Sequence, residues 1–257
     1  MFKKTNRRKL FFTNKKFQFY YILITVIIFI TIFCFYNKNY ILNTFISNIN
    51  TVSEKFNYQF KNLNVNGLKN IEYTSINNKL KKYKNTSIFL LPLNKIKNEL
   101  KEFNWIKEIK ISTNLKDTLY IELVEYIPIG IYSYNNQYFL FNLNGKIIDK
   151  IENNSPYKKK LILFFGQSSN LEAKKILKIL NEQNFIINVN IKQINFINKR
   201  RWDVILKNDT ILMLSESVPE VSLQNFSLIE KNLSETDLNN IKSIDLRNIN
   251  KTIINYF

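Results

Sequence analysis

The feature that most constrains this chain is an uncharged, apolar run over residues 17–37, FQFYYILITVIIFITIFCFYN, between Lys16 and Lys38. A helix of that length spans about 30 Å, the thickness of the hydrocarbon core of a bilayer. The run is longer than the apolar region of a typical signal peptide, and no small-x-small cleavage site follows it. A retained transmembrane helix is therefore predicted, rather than a buried core helix or a cleaved signal sequence.

The basic residues before this run predict its orientation. Residues 1–16 hold seven basic and no acidic residues: Lys3, Lys4, Arg7, Arg8, Lys9, Lys15 and Lys16. The positive-inside rule places such a segment in the cytoplasm. We therefore predict a cytoplasmic basic tail over 1–16, a transmembrane helix over 17–37 and residues 38–257 in the periplasm. In a bacterium this is a single-pass, type II protein of the cell inner membrane.

Composition limits the chemistry of the chain. The absence of histidine excludes serine–histidine and cysteine–histidine catalysis and imidazole zinc sites. Cys34 is the single cysteine, so no intrachain disulfide can form. Removing the seven tail residues from the 38 basic ones leaves 31 against 20 acidic, a balance of +11, and these charges are scattered rather than gathered in a stripe. We predict no catalytic residue, no metal, no cofactor, no small-molecule substrate and no nucleic-acid partner.

A small α/β domain is predicted over 58–128, after a polar connector over 38–57. Alternating apolar residues predict strands, and apolar residues at i, i+4 and i+7 predict helices. The elements are a strand over Gln59–Asn66, a helix over 72–83, a helix after Asn94, and strands over Trp105–Ser112 and Asp117–Tyr126. This β-α-α-β-β order is enough for one two-layer domain.

Residues 129–257 predict a mainly antiparallel β domain with two helices, so the fold class is α+β. Asn144-Gly145 is a strong hairpin signal, because it supplies the positive φ angles of a tight turn. The predicted strands are Gln137–Leu143, Leu161–Phe165, Arg201–Leu206, Thr210–Leu214, Ile244–Arg247 and Thr252–Phe257, and the predicted helices are Leu171–Leu180 and Leu223–Leu233.

The last predicted strand has the features of an open sheet edge. Ile253, Ile254, Tyr256 and Phe257 strongly favour β-structure, and neither charge nor proline follows Lys251 to blunt the edge. An unprotected edge is a template to which a partner can add a strand through backbone hydrogen bonds. The alternative is an internal strand that is paired on both sides.

Two arginine–aspartate pairs lie within the predicted strands Arg201–Leu206 and Ile244–Arg247. Arg201 and Asp203 are two residues apart, as are Asp245 and Arg247, so each pair shares one strand face. They can form a cross-strand ladder worth about 0.2–1 kcal/mol per pair. The alternative role for the arginines is contact with a partner.

Several segments resemble a known family. Leu91-Pro-Leu-Asn-Lys-Ile, Phe103-Asn-Trp-Ile-Lys-Glu-Ile-Lys-Ile and the segment Leu119–Pro128 resemble a POTRA domain, in particular that of the FtsQ/DivIB family of bacterial cell-division proteins. Trp105 before the second strand and Glu125-Tyr-Ile-Pro128 after the third match its pattern. Thr113–Lys116 departs from the Arg-x-Trp-Pro turn of many members. Outer-membrane assembly proteins also carry POTRA domains, but no series of barrel strands is found in this sequence.

The C-terminal half extends the resemblance to almost the whole chain. Arg200-Arg-Trp-Asp203 and Ile244-Asp-Leu-Arg247 are similar to segments of FtsQ proteins. The resemblance implies a divisome scaffold at the division septum that binds FtsB/FtsL-like proteins and other divisome membrane proteins. It implies that the partner is captured by Thr252, Ile253, Ile254, Asn255, Tyr256 and Phe257, helped by Arg200, Arg201 and Arg247. Many relatives carry a further tail, whose contacts we expect to be missing here.

Two other function classes make different demands on the sequence. A peptidoglycan-cleaving enzyme would need paired carboxylates. Glu122 and Glu125 are three apart on one strand and therefore project to opposite faces. An envelope-anchored cell-wall-binding module would instead use the scattered cations to hold an anionic polymer, and its binding would weaken steeply with salt.

Overall fold

The computed structural model describes residues 15–184, 191–234 and 238–257. The predicted cytoplasmic tail lies outside these ranges, except for Lys15 and Lys16, which begin the first helix. Contacts divide the chain into two units. The first comprises the described part of Met1–Asn64 with Leu80–Leu93 and Ser112–Tyr120, and the second comprises Val65–Lys79, Asn94–Ile111 and the described part of Ile121–Phe257. The predicted domain boundaries, 58–128 and 129–257, stay predictions.

Two successive helices begin the described chain. Helix α1 covers Lys15–Tyr36, and its stretch Gln18–Tyr36 is long and apolar enough to cross a membrane, with none of it buried in the protein. Helix α2 covers Lys38–Lys55, within the predicted polar connector. Helical hydrogen bonds continue through the single residue between them, since the Asn37 N–H donates to the Phe33 carbonyl and the Asn37 carbonyl accepts from the Ile41 N–H, both at 3.0 Å.

A three-stranded sheet with two helices follows, in the order predicted. Its elements are β1 (Asn62–Asn66), α3 (Tyr73–Leu80), α4 (Leu93–Leu100), β2 (Ile106–Thr113) and β3 (Thr118–Glu125), with strand order β1-β3-β2. Alternation in β3 buries Leu119, Ile121 and Leu123 and exposes Glu122. Gly67, at φ +88°, ends β1, and a Cβ there would lie 1.9 Å from the Leu123 carbonyl oxygen, so only glycine fits.

The rest of the chain forms a nine-stranded mixed sheet with order β12-β11-β10-β9-β8-β7-β4-β5-β6. The strands are β4 (Gly130–Tyr134), β5 (Gln137–Phe141), β6 (Ile147–Ile151), β7 (Leu163–Phe165), β8 (Ile191–Ile197), β9 (Arg201–Leu206), β10 (Ile211–Leu214), β11 (Ile241–Asn248) and β12 (Lys251–Tyr256). The pairs β4–β7, β7–β8 and β10–β11 are parallel, and the other neighbours are antiparallel. The prediction of a mainly antiparallel sheet is confirmed.

One face of this sheet is covered by two helices, α5 (Ser169–Glu182) and α6 (Pro219–Asn232). The core between the helices and the sheet includes Ile176 and Phe226 from the helices and Val204 from the central strand β9. Trp202 stacks on Phe196 with ring centroids 4.3 Å apart. Alternation along β9 and β11 sends the intervening residues to the opposite face of the sheet.

Candidate partner-binding site

Strand β12 forms one edge of the nine-stranded sheet. It pairs antiparallel with β11, and Ile253, Ile254 and Asn255 lie opposite Asp245, Ile244 and Ser243 respectively. Within the described ranges, no strand pairs with its outer side. The sequence prediction that this strand lies at an edge agrees with the sheet order.

The side chains of β12 divide between the two faces of the sheet. Ile254 packs against the helix-covered core, and Thr252 is half-buried on the same face. Asn255 lies on the other face, where its Nδ2 donates to the Ser243 hydroxyl at 3.0 Å. Tyr256 is 55% exposed and Phe257 is 80% exposed, so the end of the strand presents two aromatic rings to solvent.

The direction of the backbone groups follows from one hydrogen bond. The Phe257 N–H donates to the Asn240 carbonyl at 3.2 Å, so this amide points toward the neighbouring strand. Because amide directions alternate along a strand, the N–H and C=O groups of Thr252, Ile254 and Tyr256 point outward. The open edge therefore carries three evenly spaced donor–acceptor sets.

The opposite edge, β6, is protected. Its sequence Ile147-Ile-Asp-Lys-Ile151 places two charged, exposed residues in the middle of the strand. The Lys150 amide donates to the Asp149 carboxylate at 2.8 Å, and the Trp105 indole donates to the same carboxylate at 3.0 Å. A register shift near Leu140 also interrupts the pairing of β5 and β6. Charges and irregular pairing discourage strand addition, so the two edges of the sheet differ.

The two arginine–aspartate pairs lie on the face of the sheet away from the helices. Arg201 Nη2 lies 3.6 Å from Asp203 Oδ2, and Arg247 Nε donates to Asp245 Oδ1 at 2.8 Å. A direct cross-strand ladder between the pairs is wrong, because β10 separates β9 from β11 and Met213 lies opposite both aspartates. Each ion pair instead runs along its own strand.

The two aspartates have different environments. Burial raises the pKa of Asp203, although Arg201 and Arg247 favour its ionised form, and its Oδ1 accepts no hydrogen bond from the described chain. Hydrogen bonds from the Arg247 guanidinium lower the pKa of Asp245. Both carboxylates are thus held by arginines. Among the described residues, no group of three or more acidic, cysteine or histidine side chains is placed to hold a metal ion.

The structure brings together only some of the predicted site residues. Arg247 lies on β11, next to β12, and is half-exposed. Arg201 lies on β9, three strand spacings or about 14 Å from β12. Arg200 lies in the β8–β9 turn, 3.7 Å from Glu216, where it lines a separate groove of about 440 Å³ beside α5. Arg200 and Arg201 are neighbours in sequence, but they have different surroundings.

Sequence reasoning missed the role of Glu125. Its buried carboxylate accepts hydrogen bonds from the N–H groups of Lys69, Asn70 and Ile71, at 2.9–3.2 Å, and from the Asn70 side chain at 2.8 Å. Burial raises the pKa of Glu125, but these donors outweigh it and the net pKa is lowered. The Glu of the Glu-x-x-Pro segment therefore closes the turn after β1. The sequence signal for this role is the position of Glu125 on the buried face of an alternating strand, where a carboxylate needs hydrogen-bond donors.

Comparison with known proteins gives consistent matches along the chain. The family described as POTRA domain, FtsQ-type, matches residues 59–126, and Cell division protein FtsQ/DivIB, C-terminal, matches residues 130–247. The Cell division protein FtsQ of Rickettsia felis is 33% identical over 257 residues, which covers 98% of this chain and 94% of the relative. That of Rickettsia typhi is 33% identical over 209 residues (81% and 77%), and that of Zymomonas mobilis is 26% identical over 175 residues (68% and 54%). The chain belongs to the FtsQ/DivIB family of cell-division proteins.

Proposed function

We propose that this cell-division protein is a non-enzymatic scaffold that binds an FtsB/FtsL-like partner by strand addition along β12. In this proposal α1 anchors the chain in the inner membrane, the tail 1–16 is cytoplasmic, and the sheets are periplasmic at the division septum. The observation that carries the proposal is the row of outward-pointing backbone groups at Thr252, Ile254 and Tyr256.

Strand addition suits this edge for two reasons. The outward N–H and C=O groups supply hydrogen bonds to any extended backbone, which gives affinity without regard to sequence. The exposed side chains supply selectivity, because Ile253 on one face and Tyr256 on the other would contact alternate side chains of the added strand.

The arginines add a preference for acidic partners. Arg247 uses Nε and one terminal nitrogen for Asp245 and is half-exposed, so its remaining N–H donors face solvent. A strand added at β12 would lie two strand spacings, about 10 Å, from β11, so a long acidic side chain of that strand could reach Arg247 across β12. Arg201 lies further in, so it would contact only a partner that also covers the face of the sheet.

The alternative of a cell-wall-binding module makes different demands. Binding to an anionic polymer would use cations over the whole surface and would weaken steeply as salt rises. Strand addition depends on backbone hydrogen bonds and loses much less with salt. A fluorescent fusion of the full chain confined to the septum supports the scaffold, whereas uniform decoration of the envelope supports the polymer.

A single amide tests the proposal. Tyr256→Pro removes one outward N–H together with the ring, and it leaves the bonds to β11 in place because the lost N–H points away from β11. Tyr256→Ala removes the ring and keeps the N–H. We expect Tyr256→Pro, and not Tyr256→Ala, to abolish co-purification of a co-expressed FtsB-like protein with the full chain. Equal retention by both variants would show that β12 is not the docking edge.

A further inference from the structure

Helix α2 carries an apolar seam with heptad spacing, whose residues are exposed except for the half-buried Ile49. Leu42, Phe45, Ile49, Val52 and Phe56 follow one another at intervals of three, four, three and four residues. Phe45 is 62% exposed and Phe56, the C-terminal cap of the helix, is 59% exposed. A spacing of 3.5 residues is the pattern by which helices supercoil around one another, with each apolar side chain inserted between four of a facing helix.

The rest of its unit holds α2 by a different side. The Ser53 and Ser87 hydroxyls form a buried hydrogen bond of 2.7 Å, and the Ser87 N–H donates to the Asn50 side chain at 3.4 Å. At 100° per residue, Ser53 and Asn50 lie roughly 80–160° around the helix from Phe45 and Val52. The rotation of α2 is therefore set by Ser53 and Asn50, and it leaves Phe45 and Val52 on a side that faces solvent.

A second group of exposed apolar side chains lies in the same unit. Tyr58 and Phe89 are both exposed, and their ring centroids are 5.6 Å apart. The Ile88 N–H donates to the Tyr58 carbonyl at 2.9 Å, which fixes the two segments together. Exposed apolar side chains on one unit are typical of a surface that binds another macromolecule.

The seam begins directly beyond the helix that is able to cross a membrane. Backbone hydrogen bonds at Asn37 join α1 to α2, so the two helices are connected by helical geometry rather than by a loose linker. Leu42 follows the end of α1 by six residues. A helix of another protein that leaves the same bilayer would therefore contact the seam from the first helical turn outside the membrane.

The charges near the seam argue against a second copy of this chain. Lys38 lies seven residues before Phe45 and so occupies the same heptad position. In a parallel pair of identical helices in register, each Lys38 would face the other at the start of the seam. The seven basic residues of the segment 1–16 would also be brought side by side. An acidic residue at that level of another protein would instead pair with Lys38.

We infer that the α2 seam binds, in parallel, the membrane-proximal helix of a different single-pass protein with apolar heptad residues and an acidic residue opposite Lys38. This inference rests on the proposed function, because we assign the helix to the same partner that adds a strand to β12. A helix of about 15 residues is marginal alone, whereas a partner held by the membrane and by a second site has a high effective concentration. Two contacts along one partner also fix its direction.

Photocrosslinking of the full chain in membranes tests the seam. A benzoylphenylalanine at position 45 or 52 should form adducts with co-expressed FtsB-like or FtsL-like protein. The same residue at Thr44 or Thr51, on other sides of the exposed helix, should form none. Adducts at all four positions, at none, with a second copy alone or with lipid alone would each overturn the inference.

A charge variant gives the second measurement. Val52→Glu should lower co-purification of the partner about tenfold through lost avidity, whereas Thr51→Glu, with the same charge, should leave it unchanged. Equal retention by Val52→Glu and Thr51→Glu would contradict the seam. If Tyr256→Pro still abolishes co-purification in that case, the proposed strand addition at β12 stands and only the seam is contradicted. If Tyr256→Pro has no effect while adducts at the seam persist, the proposed strand addition at β12 is contradicted instead.

Discussion

Asp245 holds the guanidinium of Arg247 through two hydrogen bonds, two residues apart on the same strand and next to the open edge. The aspartate also accepts the Arg247 backbone N–H at 3.1 Å. A long side chain fixed in this way loses less conformational entropy when it binds a second carboxylate. In the proposed function, Asp245 therefore positions Arg247 for a partner at β12.

Arg247→Ala is expected to affect binding more than folding. The ion pair is largely solvent-exposed on its arginine side, so its loss should cost less than about 1 kcal/mol of the free energy of unfolding. Partner affinity should fall about tenfold, or about 1.4 kcal/mol. Titration of an FtsB-like partner against the purified full chain measures this, with Lys242→Ala on the same strand as the control. A matching loss in Lys242→Ala would show a general charge effect rather than a contact.

Asp203→Asn is expected to stabilise the protein at neutral pH. The folded-state pKa of this carboxyl is raised by burial, so ionised Asp203 lowers the free energy of unfolding at pH values above that pKa. Replacing it with neutral asparagine removes the cost of burying the charge and should gain about 1 kcal/mol at pH 7. The gain should disappear as pH falls and the wild-type carboxyl becomes protonated. Thermal unfolding between pH 4 and 8 checks this, and a gain that does not vary with pH would refute it.

Glu125 shows the opposite dependence. Its folded-state pKa is lowered, so its contribution is present above the pKa of the unfolded chain and is lost as pH falls through the folded value. Glu125→Ala leaves three backbone donors without their acceptor and should cost about 3 kcal/mol at neutral pH. Glu125→Gln, which keeps one acceptor oxygen, should cost less. Urea unfolding of the full chain in detergent measures both, and Glu122→Ala on the exposed face of the same strand should have little effect.

Gly67→Ala tests the close approach after β1. A Cβ would lie 1.9 Å from the Leu123 carbonyl oxygen, and φ is +88°, so the backbone must move. We expect a loss of about 3 kcal/mol or more in the free energy of unfolding. Asn66→Ala, one residue earlier on an exposed position of β1, is the matched control. Comparable stability of the two variants would show that the turn relaxes without cost.

Local patterns were sufficient for much of the fold. The alternation in β3 and the hairpin at Asn144-Gly145 predicted the corresponding strands, and α5 and α6 were predicted from helical spacing. The place of β12 at an edge followed from its apolar sequence without charge or proline. These features depend on neighbours in sequence, which periodicity reports directly.

Long-range pairing was not predictable in the same way. Strands β4 and β8 were missed, and β8 mixes Lys192, Gln193 and Asn195 with its apolar residues. Three parallel pairs join strands that are distant in sequence. The insertion of Met213 between Asp203 and Asp245 depends on one of them. No local pattern encodes which strand lies beside which, so the separation of the two ion pairs emerged only from the structure.

The unequal borders of the nine-stranded sheet have a consequence for stoichiometry. Because Asp149 and Lys150 protect β6 and β12 is open, the joining of one copy's β12 to the next copy's β6 is disfavoured, and we do not expect copies of this sheet to assemble head to tail. In the proposed function, each molecule therefore binds one added strand, at β12. Once that strand is added, the partner's strand forms the outer edge of the sheet. Any further strand addition then depends on the sequence of the partner and not on that of this chain.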